Sequence, residues 1–263
     1  MTLAVDISNY TSELTPTALE GLKSEGVSHV IVQAVDPPAP FPPGRTREQI
    51  QACLDAGLTV DAYVWLWFDL DSSDIQRKLQ LLDGLNIRQL WLDVEDTAAS
   101  KYDQATTEQK VSAALELCDA HATSSGEKTG IYSGRWFWVD RRYMDNTASF
   151  KTRELWDANY DAVANAALGF APYGGWDHVA IKQFRGTSVL ASVKGLDLNV
   201  LSVGEDGELS TPPADQTPAR ETPDDWAWPT WEEAAENYKG IADELGKQLE
   251  ELKQAQTQAA APA

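Results

Sequence analysis

Two acidic residues, Asp93 and Glu95, lie two positions apart inside the otherwise apolar segment 90–96, LWLDVED. The alternation of Leu and Val in this segment predicts a β-strand, so both carboxylates project from the same face. Burial of two unpaired carboxylates costs several kcal/mol. Carboxylates whose surroundings push their pKa values apart are a common means of acid–base catalysis. The pair is therefore a candidate catalytic centre.

The same pattern occurs in two other predicted strands. In LAVDIS, near the N-terminus, Asp6 lies on the face opposite the aliphatic side chains, and in KGLDLNV the same holds for Asp197. If the first and last strands are neighbours in a closed barrel, Asp6 and Asp197 flank one side of a cavity that Asp93 and Glu95 face. Four carboxylates in one pocket cannot all ionise cheaply, so at least one pKa rises. This chemistry suits cleavage of a glycosidic bond.

Two other interpretations of these carboxylates stay open. They could lie apart, as helix caps or as partners of arginines, or they could bind a divalent cation, since such ions take oxygen ligands. The three histidines, His29, His121 and His178, are isolated from one another and from the cysteines. We therefore expect no metal site built on them, and we expect neither a resident metal nor a cofactor.

The elements that must position these residues alternate between strand and helix patterns over residues 1–203. The first helix is predicted to begin with Thr15 as its N-cap and Pro16 in its first turn. A capping-box pattern from Thr106 to Gln109 predicts the start of the fourth helix. About eight strands in repeated β/α units favour a TIM-like α/β barrel with a degenerate last part. A doubly wound open sheet is the alternative.

Composition divides the chain into three parts and excludes some partners. We expect a barrel over residues 1–204, an acidic Pro-rich linker over 205–226 and an amphipathic helix over 227–257 that docks or oligomerises. The net charge is −20, and residues 204–263 carry half of it, with 14 acidic and 4 basic residues. Such a charge argues against binding to nucleic acid or to an anionic membrane. The chain contains no apolar run long enough for a membrane span.

An ordered set of motifs resembles one known family. The segments AVDISNY, LWLDVED, TGIYSG, ELWDANY, KQF and GLDLN are similar to those of glycoside hydrolase family 25 (GH25) lysozymes. The resemblance implies an irregular (β/α)5(β)3 barrel and N-acetylmuramidase activity on the MurNAc–GlcNAc β-1,4 bond. It implies Glu95 as general acid and Asp93 as the carboxylate that orients the 2-acetamido group of the substrate. Asp6 and Asp197 would be supporting carboxylates.

The expected substrate is a peptidoglycan glycan strand, and four further residues are candidates for binding it. Tyr63 matches a family aromatic residue near the reacting sugar, and Trp67 and Trp176 are candidates for stacking on sugar rings. Asp157, in the WDANY segment, is predicted to lie near the mouth of the barrel. The second and sixth strands depart from the usual family sequences, which affects sugar specificity more than catalysis.

The N-terminus lacks the pattern of a signal peptide. We therefore expect synthesis in the cytoplasm, followed by action on the cell wall after holin-type release, as in a phage endolysin, or a place in a virion. The alternative function is a non-catalytic or weakly catalytic glycan-binding virion or surface protein. It would use the barrel for attachment and residues 227–257 for assembly.

Overall fold

The computed structural model describes residues 2–36, 45–122 and 129–202. In this part of the chain eight strands form a closed barrel, in which each strand is hydrogen-bonded to its neighbours in sequence order. The elements are, in order, β1 (Thr2–Ile7), α1 (Pro16–Ser24), β2 (Val27–Gln33), α2 (Thr46–Asp55), β3 (Thr59–Trp65), α3 (Ser72–Gln80), β4 (Leu90–Asp93), a 3₁₀ helix (Thr97–Lys101), α4 (Gln104–Ala122), β5 (Gly130–Ser133), a π-helical turn (Trp136–Asp140), β6 (Leu155–Ala158), β7 (Ile181–Leu190) and β8 (Val193–Leu201).

The barrel is irregular in its last third. Strands β1 to β7 are parallel to one another, whereas β8 is antiparallel to both β7 and β1. The π-helical turn takes the place of a fifth α-helix, and residues 129–202 contain no α-helix. This confirms the predicted irregular TIM-like (β/α)5(β)3 barrel. Closure of the sheet rules out the doubly wound alternative.

Alternation along the strands separates two apolar layers. The outer faces of the strands pack under the helices, with Val5 and Ile7 of β1 and Leu92 of β4 among the buried residues. The inner faces form a separate cluster rich in aromatic residues, centred on Trp156. The ring of Tyr132 lies 4.5 Å from the Trp156 ring, and the ring of Trp91 lies 6.0 Å from it. The barrel interior is therefore packed below the level of the carboxylates.

A buried charge network closes the N-terminal end of the barrel. Asp61 is fully buried and accepts two hydrogen bonds from the Arg88 guanidinium, at 2.9 and 2.7 Å. Its Oδ2 also accepts from Trp91 Nε1 at 2.9 Å and lies 3.1 Å from His29 Nε2. This end of a β/α barrel usually serves stability, and the network links it to the aromatic layer above.

The observed N-termini of α1 and α4 can be compared with the predicted N-caps. Thr15 caps α1, since its side chain accepts a hydrogen bond from the backbone N–H of Ala18 at 3.2 Å. The capping box predicted at Thr106 is wrong, because α4 begins two residues earlier. Asp103 caps this helix instead, and its carboxylate accepts from the Thr106 backbone N–H at 2.8 Å.

Among the residues that the structure describes, no helix is long and apolar enough to cross a membrane. The predicted linker 205–226 and helix 227–257 lie outside the described residues.

Candidate active site

The four predicted carboxylates meet at the C-terminal end of the barrel. Asp6 and Asp197 are direct partners in the antiparallel register of β1 and β8. Asp93 is the last residue of β4, and Glu95 follows it by two positions. Burial, and then the charges of all four, raise the pKa of the Tyr63 hydroxyl. The structure thus brings the four predicted residues together, because the barrel closes and the strands alternate with period two.

Backbone contacts on both sides of Glu95 fix its position. The Val94 N–H donates to the Tyr132 carbonyl at 2.9 Å, and the Ser133 hydroxyl donates to the Val94 carbonyl at 2.6 Å. On the other side, the Asp96 carboxylate accepts from the backbone N–H groups of Ala98 at 2.9 Å and of Phe68 at 3.1 Å. Asp96, the third acid of LWLDVED, therefore has a structural role, since it caps the 3₁₀ helix and ties two loops together.

Side-chain amides hold the pair on the other side of the cavity. Asp6 Oδ2 accepts from Gln183 Nε2 and from Asn199 Nδ2, both at 2.7 Å. Asp197 accepts from Gln183 Nε2 at 3.2 Å and from the Thr187 backbone N–H at 2.6 Å. These donors favour the ionised forms of Asp6 and Asp197.

Asp93 and Glu95 are in a different environment. Among the described residues, neither Asp93 Oδ1 nor Glu95 Oε2 has a hydrogen-bond partner, although both atoms are enclosed. An enclosed carboxylate oxygen without a donor is costly when charged. The ionised forms of Asp93 and Glu95 are therefore disfavoured in this environment.

Burial and mutual repulsion raise the pKa values of the cluster. Burial, followed by the charge of Asp197, raises the pKa of Glu95 from 4.5 to about 8. Burial raises the pKa of Asp197 to about 6, against the Thr187 N–H, which lowers it. The pKa of Asp93 is raised by burial and then by Glu95, while the Lys78 ammonium opposes the shift. Burial and then Asp197 raise the pKa of Asp6 as well.

Two of the predicted substrate-binding residues lie at this end of the barrel. Tyr63 points into the barrel, and its ring meets the Trp156 ring edge-on at 5.7 Å. Trp67 lies just beyond the end of β3, half-buried, with its ring 6.3 Å from that of Trp65. The Lys78 ammonium lies over the Trp67 ring, 5.5 Å from its centroid. Both residues therefore lie at the end of the barrel that carries the carboxylates.

The other two predicted residues are not brought to the site. Asp157 lies between Trp156 and Ala158, which both face the interior, so its own side chain faces outward. It is buried there and accepts from the Tyr173 hydroxyl at 2.8 Å. Trp176 is 4% exposed in the outer core, and its indole N–H donates to the Arg153 carbonyl at 2.8 Å. Neither residue keeps its predicted sugar-binding role.

Four polar residues of the site were not among the predicted ones, namely Tyr132, Tyr160, Gln183 and Asn199. Three of them had a sequence signal, because they alternate with outward-facing aliphatic or aromatic residues in GIYS, IKQF and LDLNV. Tyr160 continues the alternation of Trp156 and Ala158, but it lies just beyond the end of β6, where alternation is a weaker guide. The loop after β6 is held by the buried Lys182, whose ammonium donates to Asp161 at 2.7 Å.

A closed β/α barrel with a cluster of carboxylates at the C-terminal ends of its strands is an arrangement that suits a barrel glycosidase. The sequence model described as "Glycosyl hydrolases family 25" matches residues 5–192. The chain belongs to this family, as its sequence motifs indicated. Asp6, Asp93 and Glu95 lie within the matched segment, and Asp197 lies just beyond it.

Individual relatives agree with this assignment. The chain is 28% identical over 156 residues to "Probable GH family 25 lysozyme 3" of Dictyostelium discoideum, a match that covers 57% of this chain. It spans only 31% of the length of that relative.

Two solved structures share the fold at 15% sequence identity. One is a family 25 glycosyl hydrolase from Bacillus anthracis, with a TM-score of 0.59 over 78% of this chain and 91% of that one. The other is the spore cortex lytic enzyme SleM of Clostridium perfringens, with a TM-score of 0.61 over 79% of this chain and 69% of that one.

Proposed function

We propose that the protein is an N-acetylmuramidase that hydrolyses the β-1,4 bond between MurNAc and GlcNAc in peptidoglycan. The observation that carries the proposal is the meeting of Glu95 and Asp93 with the Asp6–Asp197 pair at the C-terminal end of the barrel. Family membership supports glycosidase chemistry. The lysozyme name of the Dictyostelium relative supports peptidoglycan as the substrate.

Glu95 is the general acid in this proposal. With a pKa raised to about 8, its carboxyl group keeps its proton at neutral pH. It gives that proton to the glycosidic oxygen as the bond to the anomeric carbon breaks. After this transfer, the Glu95 carboxylate lies close to Asp93 and Asp197. Their negative charges favour the reprotonation of Glu95 before the next turnover.

The other carboxylates stabilise the positive charge that develops on the sugar. Asp93 orients and polarises the 2-acetamido group, whose carbonyl oxygen attacks the anomeric carbon to give a cyclic intermediate that water opens. Direct attack by water is the alternative route. Asp6 and Asp197, held by amide donors, act through their negative charge on the oxocarbenium-like transition state. The anomer first released distinguishes the two routes, because neighbouring-group attack retains the configuration and direct attack inverts it.

We also propose that the partly exposed rings of Trp65 and Trp67, together with Tyr63, form the wall on which the glycan lies. Trp65 is the register partner of Asp93, so a sugar stacked on it lies next to the reacting bond. Aromatic faces bury the apolar faces of sugar rings well.

Identification of the sugar at the new reducing end of digested peptidoglycan tests the proposal. Purified peptidoglycan is digested, the new reducing ends are reduced with borohydride, and the amino sugar alcohols are identified by mass spectrometry. We expect muramitol from the wild type and none from Glu95→Gln. Glucosaminitol would indicate a glucosaminidase instead. No product from several walls would favour the glycan-binding alternative.

The biological setting is a further part of the proposal. We propose that the protein acts on a bacterial wall as a phage endolysin released by a holin. Induced expression in a bacterial host should then cause lysis only when a holin is co-expressed. We also propose that residues 227–257 mediate assembly, which sedimentation of the full chain beside a chain ending at Gly204 would test. If the full chain and the shortened chain have the same number of subunits in solution, this proposal is contradicted.

A further inference from the structure

Lys78 carries a buried ammonium group that has no part in the proposed reaction. It lies on α3 and forms a 2.6 Å salt bridge with Asp74, one turn earlier in the same helix. Both residues are buried, on the face of α3 that also buries Ile75 and Leu79. Desolvation of two charges is costly, and an apolar pair of similar volume is often at least as stable. Stability alone therefore does not account for this ion pair.

The Lys78 ammonium group reaches the end of β3 and the loop that follows it. It donates a hydrogen bond to the Trp65 backbone carbonyl at 2.9 Å, and it lies over the Trp67 ring, 5.5 Å from the ring centroid. An ammonium group has three N–H donors, and a cation within about 6 Å of an indole face is attracted to it. Lys78 therefore connects α3 to both tryptophans of the proposed sugar-binding wall.

The backbone of this loop is also held on its other side. The Phe68 ring is buried in the outer core, and the Phe68 backbone N–H donates to the Asp96 carboxylate at 3.1 Å. These contacts fix the chain just beyond Trp67, whose own side chain stays half-buried. Lys78 acts at a different place, since it contacts the Trp65 carbonyl and the face of the Trp67 ring itself.

We propose that Lys78 is a positioning residue for the glycan, whose ammonium group fixes Trp65 and Trp67 in the orientation in which they bind sugar rings. The ammonium group covers one face of the Trp67 ring, so a sugar stacks on the opposite face. The inference rests on the sugar-binding wall of the proposed function, but the contact between Lys78 and Trp67 is independent of activity. Lys78→Met keeps the length of the side chain and removes its charge and its donors.

Binding of a soluble glycan strand, prepared from peptidoglycan by removal of its peptides, is the main test. Isothermal titration calorimetry gives the Kd, and the full chain carries Glu95→Gln to prevent cleavage. Lys78→Met in this background should weaken the Kd by roughly three- to tenfold, because rings that are no longer fixed must be ordered on binding. In the active protein the KM should rise by the same factor with little change in kcat, as expected when ground state and transition state lose the same contact.

Lys101→Met is the matched control. Lys101 forms an ion pair with Asp69 of the same loop, but both side chains are exposed, and exposed ion pairs contribute little. This variant removes the same charge and should leave the Kd unchanged. Lys78→Met leaves Asp74 buried without its ammonium partner. If that variant does not fold, Lys78→Met combined with Asp74→Asn removes both charges and takes its place in every measurement.

Two further measurements separate a positioning role from a general loss of packing. The indole N–H signal of Trp67 in a ¹H–¹⁵N NMR spectrum is identified by its loss in Trp67→Phe. It should shift in Lys78→Met and stay in place in Lys101→Met. A double-mutant cycle of Lys78→Met with Trp67→Ala, in the Glu95→Gln background, should give losses in binding that do not add, because the two side chains act through one contact.

Several results would overturn the inference: an unchanged Kd or an unshifted Trp67 signal in folded Lys78→Met, additive losses in the cycle, or no binding of the strand by Glu95→Gln itself. A fall in kcat at constant KM would also overturn it, since Lys78 would then act on the reacting groups and not on the wall. The binding and NMR results stand even if no peptidoglycan is cleaved. A wild type that binds the strand but does not cleave it would contradict the proposed function alone.

Discussion

Replacement of Glu95 by Gln should make the protein more stable at neutral pH while abolishing its activity. The side chain keeps its shape, but the group can no longer ionise inside the carboxylate cluster. Burial and Asp197 raise the pKa of Glu95 from 4.5 to about 8 in the folded protein. Between these two values the unfolded chain releases the proton and the folded protein retains it, so the wild type loses stability as the pH rises.

The size of the effect follows from the width of this pH window. One pKa unit is worth about 1.4 kcal/mol, so the loss between pH 4.5 and pH 7 has an upper limit of about 3.5 kcal/mol. We expect the free energy of unfolding of Glu95→Gln to exceed that of the wild type by about 1–3 kcal/mol at pH 7. The difference should vanish near pH 4, where the carboxyl group is protonated in both states.

Urea unfolding at pH 4 and at pH 7 provides the assay. Glu13→Gln is the matched control, because Glu13 is exposed between β1 and α1 and its replacement should change stability little at either pH. Increased stability of Glu95→Gln at pH 7 alone would support the account. A difference of equal size at both pH values, or a less stable variant at pH 7, would refute the reasoning.

Three further predictions concern the barrel and its charge. Gly130→Ala should lower the free energy of unfolding by roughly 1–3 kcal/mol in urea unfolding, since a Cβ would lie 2.4 Å from the Trp91 ring; unchanged stability would contradict this packing. Asp61→Asn should cost about 3 kcal/mol at pH 7, because it breaks the buried pair with Arg88. Burial opposes the shift, but His29 and Arg88 lower the pKa of Asp61, so this cost should shrink below pH 4. A cost independent of pH would argue against the ion pair. Activity on an anionic wall should rise when salt is added from a very low level, and a steady fall from the lowest concentration would disprove this.

The sequence was most informative where the strands alternate. Leu and Val mark the outer face of a barrel strand, so Asp6, Asp93 and Asp197 could be assigned to the interior without coordinates. The same rule applies to Asp157, which shares its face with the outward Leu155 and therefore points away from the cavity. The prediction for Asp157 followed the family motif and gave too little weight to this alternation.

Loops were harder to predict, because they have no periodicity. Trp176 is drawn into the outer core by its bond to Arg153 and its edge-on contact with Trp138, at 5.0 Å. Tyr160 lies just beyond β6, in a loop to which Lys182, on a neighbouring strand, is hydrogen-bonded. Contacts between residues about 20 positions apart leave no local pattern in the sequence. The network around Gln183 likewise depends on side-chain distances.

The central claim is that Asp93 and Glu95 break a glycosidic bond. The measurement that tests it most directly is the release of reducing sugars from purified peptidoglycan at neutral pH by the wild type, Glu95→Gln and Asp93→Asn. Each variant must first give the wild-type circular dichroism spectrum. The account predicts release by the wild type, none above background from Glu95→Gln, and a loss of at least about a hundredfold from Asp93→Asn. Equal rates from the wild type and Glu95→Gln would contradict it.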